Sequence, residues 1–308
     1  MLSVLVATAI AVGVPAVSIT PAGAAAPAFP GAAWAKALGP THLSSPVIAD
    51  VNGDGRPDVI TADLSGVLHV LSGRTGRDLP GWPQRVQVIP GQTVAVESSP
   101  TVADLDHNGS NEIIVGAGTI DIAGQQGGVV AFNRNGSVRF RIRTMTVAGQ
   151  SGVVGTPAVG DVNGDGSPDV VFGSFDHRIY AVDRLGRSLR GFPMDPLDTI
   201  WDSPALYDSG RIGRMDIFIG GDASPGGPCG GWSWAGILRA IRVTSAGPQV
   251  RWSRCQHQIF QSSPAIGKFS SDGRMALVVG TGTGPSGDAR ATNSLSAFHL
   301  DNGSPVAG

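Results

Sequence analysis

The 308-residue chain is 41% hydrophobic and carries a formal net charge of −2, enough apolar material for one large domain or two smaller ones. That balance gives no support to a nucleic-acid or anionic-membrane partner. Its 45 glycines and 22 prolines call for many turns and few long helices, and no internal apolar run is long enough to span a bilayer.

The chain opens on an apolar stretch rich in Val and Ala, residues 2–19, followed by Pro21 and a run of small residues ending at Ala26. This is the pattern of a secretory signal with A-x-A-like cleavage, so residues 1–26 are expected to be removed on export, with no membrane insertion afterwards. No Lys or Arg precedes Lys36, so the positive n-region is absent or the true start lies upstream. A single membrane anchor is the alternative.

Beyond this segment the sequence repeats. A Ser/Thr-Pro step opens a unit at Pro46, Pro100, Pro157, Pro204 and Pro264. Each unit predicts a strand A after the proline, a turn, and a strand B (58–62, 112–116, 169–173, 216–220, 276–280). Strand C follows (67–71, 129–133, 178–183, 238–243, 295–300), and a Gly-containing turn leads to strand D, which often begins near Gly81-Trp82-Pro83 or Gly191-Phe192-Pro193. Four short antiparallel strands per repeat describe a β-propeller blade, so the expected fold is all-β.

Three A-to-B turns spell nearly the same nine residues, with oxygen side chains at positions 1, 3, 5 and 9 and glycine at 6. They carry Asp50, Asn52, Asp54 and Asp58, then Asp104, Asp106, Asn108 and Glu112, then Asp161, Asn163, Asp165 and Asp169. That is the donor set and turn of a calcium cage. An EF-hand would need a Glu at position 12, where Thr61, Val115 and Phe172 stand, and helices on both flanks. The plain alternative is an acidic turn that binds nothing, although nine crowded carboxylates repel one another without a cation.

On these residues the units resemble FG-GAP/VCBS-type repeats, the family that includes the β-propeller of integrin alpha subunits. The resemblance covers residues 29–308, within an expected propeller domain of 28–308. It implies about three calcium sites, each completed by the backbone carbonyl at position 7, here that of Arg56, Ser110 or Ser167. The fourth repeat keeps only positions 1 and 9 (Asp208 and Asp216), and the fifth runs from Lys268 to Ala276, so neither is expected to hold calcium well. The integrin-type propeller has seven blades and five repeats are present. Either an N-terminal strand closes a five-bladed ring, or the sequence is part of a longer protein, the reading favoured because nothing caps the last edge.

Strand alternation puts the acidic turns on one face and the longer loops, 84–98, 117–128, 221–236 and 281–294, on the other, where binding usually resides in repeat arrays. Cys229 and Cys255 fall on that second face of one blade, and in an exported chain they are expected to pair. Trp232 and Trp234 are candidate ligand-binding aromatics, whereas Trp252 reads as blade packing. Nucleophile-elbow and phosphate-loop resemblances at 231–235 and 282–287 lack the strand-to-helix context those sites need. The six histidines lack metal-ligand spacing. Asp63, Glu97, Asp121, Asp176 and Asp202 are the carboxylates that could converge on a rim. The expectation is a secreted binding or adhesion module for an extracellular protein or glycan, with structural calcium and no catalytic residue assigned. The alternative is a carbohydrate-active enzyme, a polysaccharide lyase or hydrolase, or its accessory domain.

Overall fold

Short runs such as Val-Ile-Thr-Ala after Asp58 and Ile-Ile-Val-Gly-Ala after Glu112 have side chains too apolar to leave either face in water, so each must lie between two layers. The computed structural model describes residues 33–119, 124–195, 198–223, 229, 235–282 and 293–306. The chain divides into Met1–Ala37 and Leu38–Gly308, and every described strand lies in the second unit. The expected signal segment, 1–26, lies outside the described residues.

Among the described residues, five antiparallel sheets follow in chain order. The first holds β1 (Val47–Ala49), β2 (Asp58–Ala62), β3 (Val67–Ser72) and β4 (Gln84–Arg85), and the second β5 (Thr101–Ala103), β6 (Glu112–Ala117), β7 (Gly128–Phe132) and β8 (Val138–Arg143). The third holds β9 (Ala158–Gly160), β10 (Asp169–Gly173) and β11 (Ile179–Val182). The fourth holds β12 (Ala205–Tyr207), β13 (Asp216–Ile219), β14 (Asp222–Ala223), β15 (Ala235–Thr244) and β16 (Gly247–Gln256). The fifth holds β17 (Ala265–Gly267), β18 (Ala276–Gly280) and β19 (Leu295–His299). No helix is present among the described residues, and none is long and apolar enough to cross a membrane.

The expected A, B and C strands are found within a few residues of their sequence bounds. Strand D differs. Asp78 and Leu79 already pair with β3, and the chain then loops out through Gly81-Trp82-Pro83 before pairing again at Gln84–Arg85. The Gly-Trp-Pro element is therefore an excursion within strand D and does not begin it. The third sheet repeats this, with Ser188 paired to Val182 and Met194 to Ile179 on either side of Gly191-Phe192-Pro193.

Four apolar cores lie between the five sheets. Ile60, Val70 and Trp82 meet Ile113, Val115 and Phe132; Ile114 and Phe140 meet Phe172 and Tyr180; Val171 and Phe192 meet Ile217 and Ile241; Phe218 and Trp252 meet Leu277 and Phe298. Each fully buried side chain of this kind contributes about 1.5–3 kcal/mol. Two tryptophans also bond forward: Trp82 Nε1, in the excursion, donates to the Arg134 carbonyl (3.0 Å), and Trp252 Nε1, within β16, to that of Leu300 (2.9 Å). Trp252 is thus blade packing, as its sequence context suggested.

The turn receiving Trp252 requires glycine. Gly303 has φ of +67°, and a Cβ there would stand 2.6 Å from the indole ring. Gly303→Ala is expected to lower stability by about 2–4 kcal/mol, from left-handed backbone strain and overpacking together. Urea denaturation would measure it.

Candidate functional site

Each acidic hairpin joins strand A to strand B and is organised by its own carboxylates. The position-1 carboxylate accepts the amide of the glycine at position 6: Gly55 to Asp50 (2.8 Å), Gly109 to Asp104 (2.7 Å) and Gly166 to Asp161 (2.8 Å). The position-9 carboxylate accepts the position-2 amide: Val51 to Asp58 (3.1 Å), Leu105 to Glu112 (2.9 Å) and Val162 to Asp169 (3.1 Å). Between them, Asn52, Asp54, Asn108, Asn163 and Asp165 each accept the amide two residues on, the Asx-turn geometry these side chains favour. Position 4 takes a positive φ, filled by Gly53 and Gly164 but by His107 (φ 58°) in the second loop. His107 is therefore a turn residue.

These contacts leave the donors crowded. Among the described residues, oxygens of Asp104, Asp106 and Glu112 lie within 4.8 Å of one another, and Asp106 Oδ1 is buried with no hydrogen-bond partner. In the first and third loops the acids share the turn without converging that closely. Burial, with the charges of Asp165 and Asp161 added, pushes the Asp169 carboxyl up to about 7 against the pull of the Val162 and Asn163 amides. Burial likewise raises Asp58, with Asp54 and Asp50 contributing. An all-oxygen donor set, an orphaned buried carboxylate oxygen and mutually repelling acids fit a hard cation such as calcium. The side chains at positions 1, 3, 5 and 9 would hold it, and it would supply charge neutralisation and a locked turn.

The second loop already contains a partial counter-charge. Arg139, on β8, reaches Asp106 Oδ2 at 2.9 Å and Glu112 Oε1 at 3.6 Å. Sequence spacing did not reveal this contact, which spans 33 residues.

The fourth hairpin keeps the same fold without the donors. Asp208 still accepts the Gly213 amide at 2.8 Å, but Gly210 and Ile212 occupy positions 3 and 5. The buried Asp216 is held by Ser209 Oγ and by two arginines. Arg242 binds it in bidentate fashion, both contacts at 2.7 Å, and Arg251 adds a third at 2.7 Å. Guanidinium groups thus take the place a cation would fill. In the fifth hairpin Arg274, at position 7, pairs with Asp272 at 2.6 Å.

On the opposite face the other sequence candidates separate by role. Asp63 caps its own B-to-C turn, accepting from Ser65 and Val67 and from the Gly39 amide. Asp176 accepts from Tyr180 Oη and the Met145 amide (2.8 Å), and Glu97 pairs with His42 at 2.8 Å. These three acids are engaged in turns and connectors. Asp202 is buried without a partner. Asp121, Trp232 and Trp234 lie outside the described residues.

Cys229 and Cys255 form a disulfide, with Cα atoms 5.6 Å apart and a sequence separation of 26, packed with Ala223, Ala235 and Ile237. Reducing it is expected to lower stability by about 3 kcal/mol, read as a shift in the denaturant midpoint with and without reductant.

Residues 39–115 match the FG-GAP-like repeat family. Among solved structures, the V. cholerae biofilm matrix protein Bap1 is similar at 18% identity and a TM-score of 0.53, over 85% of this chain and 38% of that one. Saccharomyces cerevisiae Sqt1 is similar at 12% identity and a TM-score of 0.50, over 77% of this chain and 56% of that one. The chain therefore spans well under two thirds of either protein, and at such identities the likeness establishes a β-propeller-like fold. No curated protein sequence matches the chain.

Proposed function

We propose that this chain, whose residues 39–115 carry the FG-GAP-like repeat, is a secreted β-propeller module that binds an extracellular protein or glycan, with calcium bound structurally in its first three hairpins. The observation carrying this reading is the contrast among the hairpins. In the second hairpin Asp104, Asp106 and Glu112 crowd together with an orphaned oxygen at Asp106 despite Arg139, and in the first and third burial and the neighbouring acids raise Asp58 and Asp169; where the donors are lost, in the fourth, two arginines hold the remaining acid. A binding site for a cation explains why the first arrangement persists despite its repulsion. Affinities of about 0.1–1 mM, usual for extracellular calcium modules, suit that role. The disulfide supports an oxidising compartment, and the likeness to a biofilm matrix protein accords with an adhesive setting.

In this reading the hairpins hold the blades in register, leaving the opposite, loop-bearing face to meet the ligand. The test is a panel of polysaccharides and immobilised matrix proteins probed in calcium, with released saccharide assayed in parallel. Retention without product is the expected result. Product release would replace the reading with a carbohydrate-active enzyme, and no retention on any surface would remove the adhesive role.

A further inference from the structure

The connector entering each strand A carries a small residue two places before the proline: Ser44, Ser98, Gly155 and Ser262 in four repeats. In the fifth repeat Ser262 Oγ accepts the Gly280 amide at 2.6 Å and donates to the Gly280 carbonyl at 3.1 Å, and in the second Ser98 Oγ donates to the Ser99 (3.0 Å) and Gly155 (3.1 Å) carbonyls. The fourth repeat breaks the pattern with Asp202. Its side chain lies over Gly220, where any Cβ would collide with Oδ2. Asp202 is 1% exposed, and neither of its carboxylate oxygens has a hydrogen-bond partner. The Gly220 amide approaches, but not in hydrogen-bond geometry.

A second carboxylate stands at the same corner. Asp222, two residues beyond Gly220, donates its amide to the Thr199 carbonyl (3.0 Å) and accepts Trp201 Nε1 at Oδ2 (3.2 Å), while its Oδ1 is buried and unpartnered. Asp198, whose charge is felt at Asp222, lies 4.0 Å from His177. Neither Asp202 nor Asp222 forms an ion pair among the described residues. Three orphaned carboxylate oxygens, two of them on a side chain sealed from water, cost several kcal/mol if nothing compensates. A serine, the residue three other repeats use, would remove that cost.

We propose that Asp202 and Asp222 form a second kind of cation site, on the face opposite the acidic hairpins, binding a hard divalent ion such as calcium or magnesium. Carboxylate oxygens are the donors such ions take. Asp198 adds negative charge felt at Asp222, and Gly220 supplies the space Asp202 needs. Without an ion, burial and then the charge of Asp222 push Asp202 well above the usual carboxylate range, while burial and the charge of Asp198 lift Asp222 to about 7. The site places a metal beside Trp201, whose ring also packs on Phe175 at 4.7 Å.

Terbium, a luminescent stand-in for calcium, tests this through indole sensitisation. The background is the full chain with Asp54→Asn, Asp106→Asn and Asp165→Asn, which weakens the hairpin loops. That protein is expected to retain one terbium equivalent with tryptophan-excited emission, displaced by calcium or magnesium. Asp202→Ser should abolish this binding while melting no lower than its parent in chelator, because serine fits the other repeats. Trp201→Phe should cut the emission several-fold with stoichiometry measured by dialysis unchanged. Emission and stoichiometry indifferent to Asp202→Ser would overturn the proposal, as would absence of terbium from the background protein in its folded state. Should Asp202→Ser fail to fold, Asp222→Asn gives the same readout: binding retained there overturns the site and binding lost supports it.

Discussion

Alanine at Arg242 should lower the free energy of unfolding by about 3–5 kcal/mol, the range for stripping one partner from a buried ion pair, and calcium should not restore it. Asp216 is fully buried, and Arg242 supplies both ends of its bidentate bond. Its removal leaves the carboxylate to Arg251 and Ser209 alone. Calcium cannot substitute, because Gly210 and Ile212 provide no side-chain oxygen at positions 3 and 5. Arg251→Ala should cost less, since the bidentate bond survives, and the double variant should cost more than either single. Urea titrations in chelator and in millimolar calcium would measure all three. A restoration by calcium would show that the fourth hairpin binds metal after all.

Chelation should act in the opposite way, on the first three hairpins. When calcium stands tenfold above its dissociation constant, each site adds about 1.4 kcal/mol to stability. Three sites together add about 4 kcal/mol, a change of about 10 °C in Tm for a domain of this size. Calorimetry with and without chelator reads this directly. Replacing Asp165 by Asn should remove roughly a third of the shift, and an unchanged midpoint in chelator would defeat the structural role of calcium. Arg139 is expected to make the second loop the weakest of the three proposed sites, because its guanidinium already answers part of the charge on Asp106 and Glu112. Arg139→Gln is expected to tighten that loop for calcium, seen by titration calorimetry as a third strong site.

The strands were legible because a blade layer covered on both faces leaves nearly continuous apolar runs, as in Asp169–Gly173, whose five residues are all buried. The acidic turns were legible because their donors are local, all within nine residues. What escaped was the cross-strand chemistry. Arg139 reaches the second loop from a neighbouring strand whose register shifts at a bulge between Ala131 and Phe132, which spacing alone does not encode. Arg242 could have been found: Ile217 pairs with Ile241, so the residue before one and the residue after the other, Asp216 and Arg242, face each other. The corresponding partner of Asp58 is Ser72. Strand D was misplaced because the Gly-Trp-Pro bend looked like a beginning, while the pairing of Leu79 ahead of it depends on a hydrogen bond to Val70. Asp202 was visible as one acid among several, and its significance emerged only when aligned repeats placed serine at its position.

The arginines of the last two hairpins are covalently part of the chain, whereas the calcium proposed for the first three would have to be collected from the surroundings. A newly made molecule in a calcium-poor interior would thus have Asp216 and Asp272 already neutralised, and its first three hairpins, apart from the Arg139 contact in the second, still waiting. Maturation of the propeller would then be coupled to the moment it reaches the outside.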